Sequence, residues 1–210
     1  MIYIVKHKEF KTPKLGEYKE INVGKAYIDD GRDNINHLNP YINELTALYD
    51  IWKNSDYCYV GMVHYRRYFW KDNNYLSHEE AVDLLSSYDI ITTGNYDPEI
   101  NPYESLKREM STDLLDKYMN LLPERVQEWF KSKNGFNVCN MFFARKDLID
   151  RYCEWVFPII IPLAEQFIRE DANGDYRHDR ALGYISERLF GYWCRNLDKY
   201  PVRIINVEEI

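Results

Sequence analysis

The chain has 210 residues, 45% of them apolar, which is sufficient for one soluble domain with a sizeable core. The formal net charge of -7 and the pI of about 5.3 argue against a nucleic-acid binder and against a protein that coats anionic membranes. The four cysteines form no C-x-x-C pair, so the sequence predicts no zinc site.

The first half of the chain alternates predicted strands and helices. Short apolar runs bounded by polar residues are typical of buried strands, and helices show a 3.6-residue apolar period and capping residues. Asn39-Pro40 is typical of a helix start, with Asn as the cap and Pro in the first turn. In chain order we predict a strand at 2–5, a polar loop-rich segment at 12–36, a helix from Asn39, a strand ending at Val63, a helix beginning at Ser77 and a strand at 89–93.

The second half begins with a polar region, residues 97–134, that we interpret as a lid or an inserted segment. After it we predict a strand at 136–144, a helix at 147–169 that prolines interrupt, a helix at 181–195 and a strand at 202–207. No repeat or linker divides the chain, so we expect residues 1–210 to form a single α/β domain. Its sheet is predicted to be mixed and mainly parallel, with helices on both faces.

The motif His64-Tyr65-Arg66-Arg67 directly follows the apolar run that ends at Val63. Two other polar groups follow predicted strands in the same way, His7-Lys8 after the first and Thr93-Gly94-Asn95 after the third. If these strands are parallel, their carboxyl ends meet at one edge of the sheet, where open α/β sheets bind ligands. The sequence therefore predicts a cationic crevice of the kind that holds nucleotides.

Two interpretations of His64, Arg66 and Arg67 stay open. In the first, they bind a diphosphate, because guanidinium groups match phosphate oxygens in geometry and charge. In the second, they form a surface salt-bridge cluster or stack on neighbouring aromatic rings. Since successive strand residues alternate faces, we expect one arginine to hold the ligand and the other to anchor the loop.

Carboxylates and amides also occur in two places between the first two strands. Asp29, Asp30 and Asn34 lie in an acidic loop that is predicted either to contact a ribose, base, sugar hydroxyl or divalent metal, or to form a solvated turn. The turn is the favoured interpretation. Asn43 and Glu44 lie near the start of the helix after Pro40, where they are predicted either to bind ligand hydroxyls or to cap the helix.

The helix at 181–195 is expected to carry Tyr184, Glu187 and Arg188 on one face, together with Arg180 just before it. Neighbours at i and i+1 do not face each other on a helix, so Glu187 and Arg188 are each expected to find another partner or a ligand. The alternative interpretation is an exposed, charged helix face.

Asn137 and Asn140 lie within the predicted strand at 136–144, which is otherwise apolar. A buried asparagine must find hydrogen-bond partners. We expect these two side chains either to pin a neighbouring loop, which is the favoured interpretation, or to bind substrate.

Several sequence blocks, in order along nearly the whole chain, resemble one bacterial family from capsular and exopolysaccharide gene clusters. That family was long described as a domain of unknown function, and its characterised members are glycosyltransferases, notably galactofuranosyltransferases that use a uridine diphosphate (UDP) sugar. The blocks are Asp29-Asp30-Gly31-x-Asp33-Asn34-Ile35, Asn39-Pro40-x-x-Asn43-Glu44-Leu45, Gly61-x-x-His64-Tyr65-Arg66-Arg67-Tyr68-Phe69, Asn140-Met141-Phe142 and Gly183-Tyr184-x-Ser186-Glu187-Arg188-Leu189.

The resemblance implies a nucleotide-diphosphate-sugar-binding domain of the GT-A type, in which residues 97–134 are an acceptor-side insertion or lid. It implies an inverting hexosyltransferase that moves a sugar, galactofuranose in the characterised members, from a UDP-sugar to a capsular or exopolysaccharide oligosaccharide. The acceptor is expected to be lipid-linked, and the protein to be cytoplasmic, at the inner face of the membrane and at most peripherally attached. No cofactor is expected: the strand before His64 ends without an Asp-x-Asp element, so arginine charge is predicted to replace Mn²⁺ or Mg²⁺.

Roles for individual residues follow from the resemblance and from the predicted edge together. An inverting transfer needs a base at the acceptor hydroxyl, and Asp179 and Glu187 are the two candidates. The residues expected to bind the donor are His7, Lys8, Asp29, Asp30, Asn34, Asn43, Glu44, His64, Arg66, Arg67, Arg180 and Arg188. Those expected at the acceptor or sugar are Tyr65, Asn140 and Tyr184.

One region departs from the family. Residues 101–133 contain no histidine and form a shorter segment than in other members. The rival hypothesis is therefore a non-catalytic nucleotide- or carbohydrate-binding module, or a partner subunit of a polysaccharide assembly complex.

Overall fold

A computed structural model of the chain describes residues 1–96, 99–132, 136–171, 180–197, 202–204 and 206–209. The strands are β1 (Ile2–Lys6), β2 (Tyr18–Asn22), β3 (Tyr59–His64), β4 (Arg67–Lys71), β5 (Asn74–Tyr75), β6 (Ile90–Thr92), β7 (Asn95–Tyr96), β8 (Phe136–Asn137), β9 (Phe142–Arg145), β10 (Val202–Ile204) and β11 (Asn206–Glu209). The α-helices are α1 (Asn39–Ile42), α2 (Leu45–Asn54), α3 (His78–Leu84), α4 (Pro102–Leu106), α5 (Thr112–Met119), α6 (Glu124–Phe130), α7 (Lys146–Asp171) and α8 (Ala181–Arg195).

The main sheet has nine strands and contains the order β10-β6-β9-β3-β1-β2. Strand β4 joins it by pairing with β3, β5 and β11, and β7 pairs with β8 in a separate two-stranded sheet. The sheet is mixed, as predicted. Its description as mainly parallel is not confirmed, because β9 is antiparallel to both of its neighbours and β4 is antiparallel to all three of its own.

The strands that precede the polar motifs all point the same way. β1 is parallel to β2 and to β3, and β6 is parallel to β10. Because β9 runs antiparallel to both β3 and β6, these two strands share one direction. The carboxyl ends of β1, β3 and β6 therefore lie at one edge of the sheet, as the sequence predicted.

Apolar residues line both faces of the central strands, which explains why these strands are continuous apolar runs in the sequence. Along β1, Ile2 and Ile4 pack on one face, and Tyr3 and Val5 on the other. The larger core lies between the sheet and helices α1, α2 and α5–α8. The smaller core lies beneath α3 and β4 and contains Phe69 among its buried side chains.

The helix predicted from Asn39 is broken rather than continuous. Its first part, α1, ends at Ile42; the next residue, Asn43, has a φ of 49° in the left-handed region, and α2 begins at Leu45. Asn39 is the first residue of α1 rather than its cap, because Leu38 takes the cap position. Asparagine tolerates the left-handed conformation better than most residues, which allows the break at this position.

Helix α7 runs unbroken through Pro158 and Pro162. Both prolines lie on its exposed face, four residues apart, where water can satisfy the carbonyl groups that lose their helical partners. Within the part of the chain that the structure describes, no helix combines the length and the apolar character needed to cross a bilayer.

Three further segments differ from their predictions. The loop-rich segment at 12–36 contains β2, and the predicted strand at 136–144 is divided into β8 and β9 by a turn at Cys139 and Asn140. The predicted strand at 202–207 is also two strands, β10 and β11. Residues 99–132 form α4, α5 and α6, and their apolar side chains, such as Leu115 and Phe130, are buried in the larger core. Whether this segment acts as a lid stays a prediction.

Candidate active site at the carboxyl edge of the sheet

The His64-Tyr65-Arg66-Arg67 motif forms a tight hairpin. His64 ends β3 and pairs with Arg67 at the start of β4, so Tyr65 and Arg66 form the turn between them. Arg66 is exposed and Arg67 is half-buried, with its Nη1 3.6 Å from the Sγ of Cys139. The two arginines therefore occupy different environments, as expected, but the reason is the turn at Arg66 and not alternation along one strand.

Three exposed cations and one exposed histidine lie at this edge, and we call the four residues the cationic rim: Lys8, Arg66, Arg180 and His7. Three of them surround Tyr65: the His7 ring meets it edge-on at 5.1 Å, and the Lys8 Nζ and Arg66 Cζ lie 5.7 and 5.3 Å from its centroid. Partial burial, followed by the charges of Lys8, Arg180 and Arg66, lowers the pKa of His7. Tyr65 itself is only 7% exposed, so its ring is the packing centre of the rim.

Directly inside the rim lie four largely buried polar residues from four separate segments of the chain, which we call the inner cluster: Glu44, His64, Asn140 and Glu187. The Nδ2 of Asn140 donates to the Oε1 of Glu44 at 2.9 Å and to the Oγ of Ser186 at 3.1 Å. Glu187 lies within electrostatic range of both Glu44 and His64. Sequence positions as distant as 44 and 187 thus converge at a single point.

Glu187 and Arg188 form an ion pair, with the Nη1 of Arg188 2.9 Å from the Oε2 of Glu187. The expectation that these neighbours would not pair was therefore wrong, because the long arginine side chain folds back along the helix. Arg188 also donates to the backbone oxygen of Tyr184 and to the Oγ of Ser105, both at 3.1 Å, and its Cζ lies 4.6 Å from the centroid of Phe136. Arg188 is 4% exposed, so this face of α8 is buried rather than solvated.

Burial shifts the pKa values of the inner cluster away from their ordinary range. Burial, reinforced by the charge of Glu44, raises the pKa of Glu187 to about 7, against the opposing effect of Arg188. Burial also raises the pKa of Glu44, although the hydrogen bond from Asn140 opposes the shift. Burial lowers the pKa of His64 to about 4, so His64 is neutral at physiological pH.

The backbone around the inner cluster is strained. Asn43, Cys139 and Asn140 have φ values of 49°, 75° and 46°, which non-glycine residues seldom adopt. The carbonyl oxygen of Asn43 is held by the side chains of Asn39 and Thr46, which donate to it at 2.8 and 2.9 Å. Strain of this kind concentrates at functional sites, where the surrounding structure maintains it.

Cys139 connects several parts of the site through its backbone. Its backbone is close enough to the carboxylate of Glu187 and to the ring of His64 to lower the pKa of the first and raise the pKa of the second, against the larger effect of burial. Burial raises the pKa of its thiol to about 12, so Cys139 is not a thiolate at neutral pH. The strained turn thus positions two members of the inner cluster.

Gly183 on α8 leaves space for Asn43. A Cβ at this position would lie 1.8 Å from the Nδ2 and 2.9 Å from the Cγ of Asn43. We expect Gly183→Ala to destabilise the fold by about 1–3 kcal/mol, although helix propensity alone favours alanine by about 1 kcal/mol. Displacing Asn43 would also displace Glu44, so activity should fall as well.

Chemical denaturation measures the stability change. Gly16→Ala is the matched control, because a Cβ at Gly16 would meet no atom within 4 Å. A Gly183→Ala protein as stable as the parent would contradict the close approach.

The acidic loop forms a turn rather than part of the inner cluster. The Oδ1 of Asp29 accepts from the backbone nitrogen of Gly31 at 3.0 Å, and Asp30 pairs with Arg32 at 2.6 Å. The Nδ2 of Asn34 donates to the carbonyl oxygen of Arg32, also at 3.0 Å. These bonds support the favoured interpretation, although contact with a nucleotide remains a prediction for Asp29, Asp30 and Asn34.

A cavity of about 210 Å³ lies beside this loop. It shares no lining residue with the cationic rim or the inner cluster. The residues around it are Tyr3, Lys19, Glu20, Ile21, Asn22, Tyr27, Ile28, Arg32, Asp50, Ile51 and Asn54.

Asn137, Tyr184 and Asp179 were also singled out from the sequence. Asn137 donates from its Nδ2 to the carbonyl oxygen of Thr93 at 2.6 Å, so it pins the loop after β6, as favoured from the sequence. Tyr184 is half-buried, with the Cζ of Arg180 5.8 Å from its ring centroid. Asp179, the alternative candidate base, lies outside the described residues.

Sequence reasoning missed three contributors to the site: Ser105, Cys139 and Ser186. The sequence offered one local signal for the strained backbone of the site. It is the residue type of Asn43 and Asn140, because asparagine adopts left-handed backbone more readily than most residues. Within the described ranges, no group of three or more His, Cys, Asp or Glu side chains is arranged to hold a metal ion.

Comparison with known structures supports the fold. The solved apo structure of WbbM, described as a bifunctional glycosyltransferase, superposes with a TM-score of 0.71 at 24% sequence identity. The match covers 100% of the present chain but only 45% of the WbbM chain, so this protein spans less than half the length of that structure. A comparison with curated proteins found no match.

A sequence-family comparison agrees with the resemblance noted above. The matching family is described as a domain of unknown function, DUF4422, and the match extends over residues 1–199. This protein therefore belongs to the DUF4422 family.

Proposed function

We propose that this protein is a glycosyltransferase that moves a sugar from a nucleotide diphosphate to an acceptor hydroxyl. The observation that carries the proposal is the position of the cationic rim directly beside the buried carboxylates of the inner cluster. A diphosphate leaving group needs positive charge, and a hydroxyl nucleophile needs a base. The carboxyl edge of the sheet presents both.

The rim suits a diphosphate for electrostatic reasons. His7, Lys8, Arg66 and Arg180 are exposed at one edge, and a guanidinium group binds phosphate oxygens in pairs. Negative charge develops on the diphosphate as the glycosidic bond breaks. Fixed cations at this position therefore stabilise the transition state more than the ground state.

Glu187 is the proposed base. A pKa of about 7 means that a large fraction of Glu187 is ionised at neutral pH while it remains basic enough to accept a proton. In the reaction, the acceptor oxygen forms a bond to the anomeric carbon and its proton passes to Glu187. The bond from that carbon to the phosphate oxygen breaks, and the nucleotide diphosphate leaves with the electron pair, which inverts the configuration.

The finer assignments rest on the family resemblance. We propose a UDP-sugar donor, with galactofuranose as the transferred sugar, and a lipid-linked capsular or exopolysaccharide oligosaccharide as acceptor. We propose that the rim replaces a metal ion and that the protein works at the cytoplasmic face of the membrane. The name of WbbM, a bifunctional glycosyltransferase, supports glycosyl transfer in general and adds no detail on donor or acceptor.

A binding and turnover screen tests the proposal. Calorimetry with UDP, followed by incubation with a panel of UDP-sugars and analysis of released UDP, should show binding and slow donor hydrolysis by at least one UDP-sugar. Activity should survive a chelator. Binding without turnover of any donor, even with an oligosaccharide acceptor, would favour the non-catalytic module, and failure to bind UDP would contradict the proposal.

A further inference from the structure

Two buried polar atoms of the inner cluster have no hydrogen-bond partner among the described residues: the Nε2 of His64 and the Oδ1 of Asn140. Asn140 is 3% exposed, and its amide nitrogen is hydrogen-bonded to Glu44 and Ser186. The Nε of Arg188, next to Glu187 on α8, also lacks a partner there. A buried polar atom without a partner costs free energy comparable to a lost hydrogen bond, so each such atom requires an explanation.

The orientation of the Asn140 amide follows from its neighbours. The hydroxyl of Ser186 donates to the carbonyl oxygen of Gly183 at 2.6 Å, so its Oγ can only accept from Asn140 at 3.1 Å. The Asn140 group on that side must therefore be the nitrogen, which also donates to Glu44 at 2.9 Å. The amide oxygen is left pointing away from these partners as a pure acceptor.

The ring of His64 also has an unpartnered atom, its Nε2. A neutral imidazole carries one donor and one acceptor nitrogen, so Nε2 has one of these two roles. A hydroxyl group can meet either role, because it both donates and accepts.

We propose that these two atoms form the subsite for the transferred sugar, which they bind through two of its hydroxyl groups. Sugar hydroxyls can donate to the Oδ1 of Asn140 and can either donate to or accept from the Nε2 of His64, and the neighbouring carboxylates of Glu44 and Glu187 are also acceptors when ionised. A phosphate or a second carboxylate would bring only further acceptors. This inference rests on the proposed function and assigns the donor sugar to a particular part of the site.

The subsite lies within reach of the rim. The charge of Arg180 acts on His7 in the rim and on both His64 and Glu44 in the inner cluster, so Arg180 is near both groups. A sugar is attached directly to the terminal phosphate of its nucleotide. A diphosphate on the rim would therefore place the sugar at the inner cluster.

The test separates sugar binding from nucleotide binding with two substitutions of one residue. In His64→Asn, the shorter side chain places no polar atom at the Nε2 position. In His64→Gln, the longer side chain can place an amide oxygen or nitrogen at that position. Calorimetry with UDP and with the best UDP-sugar measures both affinities for each variant, and thermal unfolding checks that each is folded.

We expect His64→Asn to weaken UDP-sugar binding by about 10- to 100-fold and to leave UDP binding within about twofold of the parent. His64→Gln should retain most of the additional affinity for the sugar. Equal losses for UDP and UDP-sugar, or a His64→Asn protein that binds the UDP-sugar normally, would overturn the subsite while leaving the proposed function intact. A parent protein that binds UDP-sugars no more tightly than UDP would also overturn it, and one that binds neither ligand would overturn the proposed function as well.

Discussion

Glu187→Gln should lower the rate of sugar transfer by about 10²- to 10⁴-fold, the usual contribution of a general base, while leaving UDP affinity close to that of the parent. Glutamine keeps the shape of the side chain and removes its ability to accept a proton. Initial rates of transfer, and calorimetry with UDP, measure the two effects. Glu154→Gln is the control, because Glu154 is an exposed carboxylate on α7.

The pH dependence of the parent enzyme should carry the signature of the same residue. Because the pKa of Glu187 is raised to about 7, the carboxylate is protonated at lower pH and cannot accept a proton there. Transfer should therefore rise as the pH passes through about 7 and level off above it, until another group titrates. A rate that is already maximal at pH 5 would exclude Glu187 as the base.

The stability of the protein should change in the opposite direction. The pKa of Glu187 is higher in the folded state than in the unfolded state, so protonation of Glu187 stabilises the folded protein. This stabilisation is fully present below pH 4 and is lost as the pH rises through about 7. Glu187→Gln should thus be more stable than the parent at pH 8 and similar to it at pH 4. Denaturation at both pH values measures this, and a variant less stable at pH 8 would show that the pair with Arg188 outweighs the burial of charge.

Arg66→Ala should weaken UDP binding by about 10- to 100-fold, because each hydrogen bond between charged groups contributes about 1.5–3 kcal/mol. Arg66 is exposed at the rim and packs over Tyr65, so its removal leaves the inner cluster in place. Combining it with Arg180→Ala should weaken binding further. Because both groups are solvent-exposed, the affinity of the parent should also fall as salt is added.

Arg145→Ala provides the matched control for the rim. Arg145 is also an exposed arginine, but it ends β9, which runs antiparallel to β3, so it lies at the opposite edge of the sheet. Calorimetry with UDP should show no loss for this variant. Parental affinity in Arg66→Ala and Arg180→Ala alike would remove the proposed role of the rim.

The main strands and helices, and the edge that carries the site, were predictable because their signals are local. The apolar runs at the start of the chain and before His64 are buried on both faces, and capping residues mark helices such as α3. The polar residues that follow those strands then had to meet at one edge once the strands were parallel. His7, Lys8 and Arg66 lie there as expected, and Arg180, which precedes α8, lies near them. Their binding of a donor stays a prediction.

What the sequence by itself determined is therefore most of the central strands and helices, together with the polar motifs that follow the strands. What only the tertiary structure decided is the inner cluster. Glu44 reaches it through the break at Asn43, Asn140 through the strained turn before β9, and Glu187 through the burial of a helix face that the sequence allowed to be exposed. The physical reason is that burial and neighbouring charge, which depend on contacts between distant segments, convert ordinary carboxylates into groups with raised pKa values.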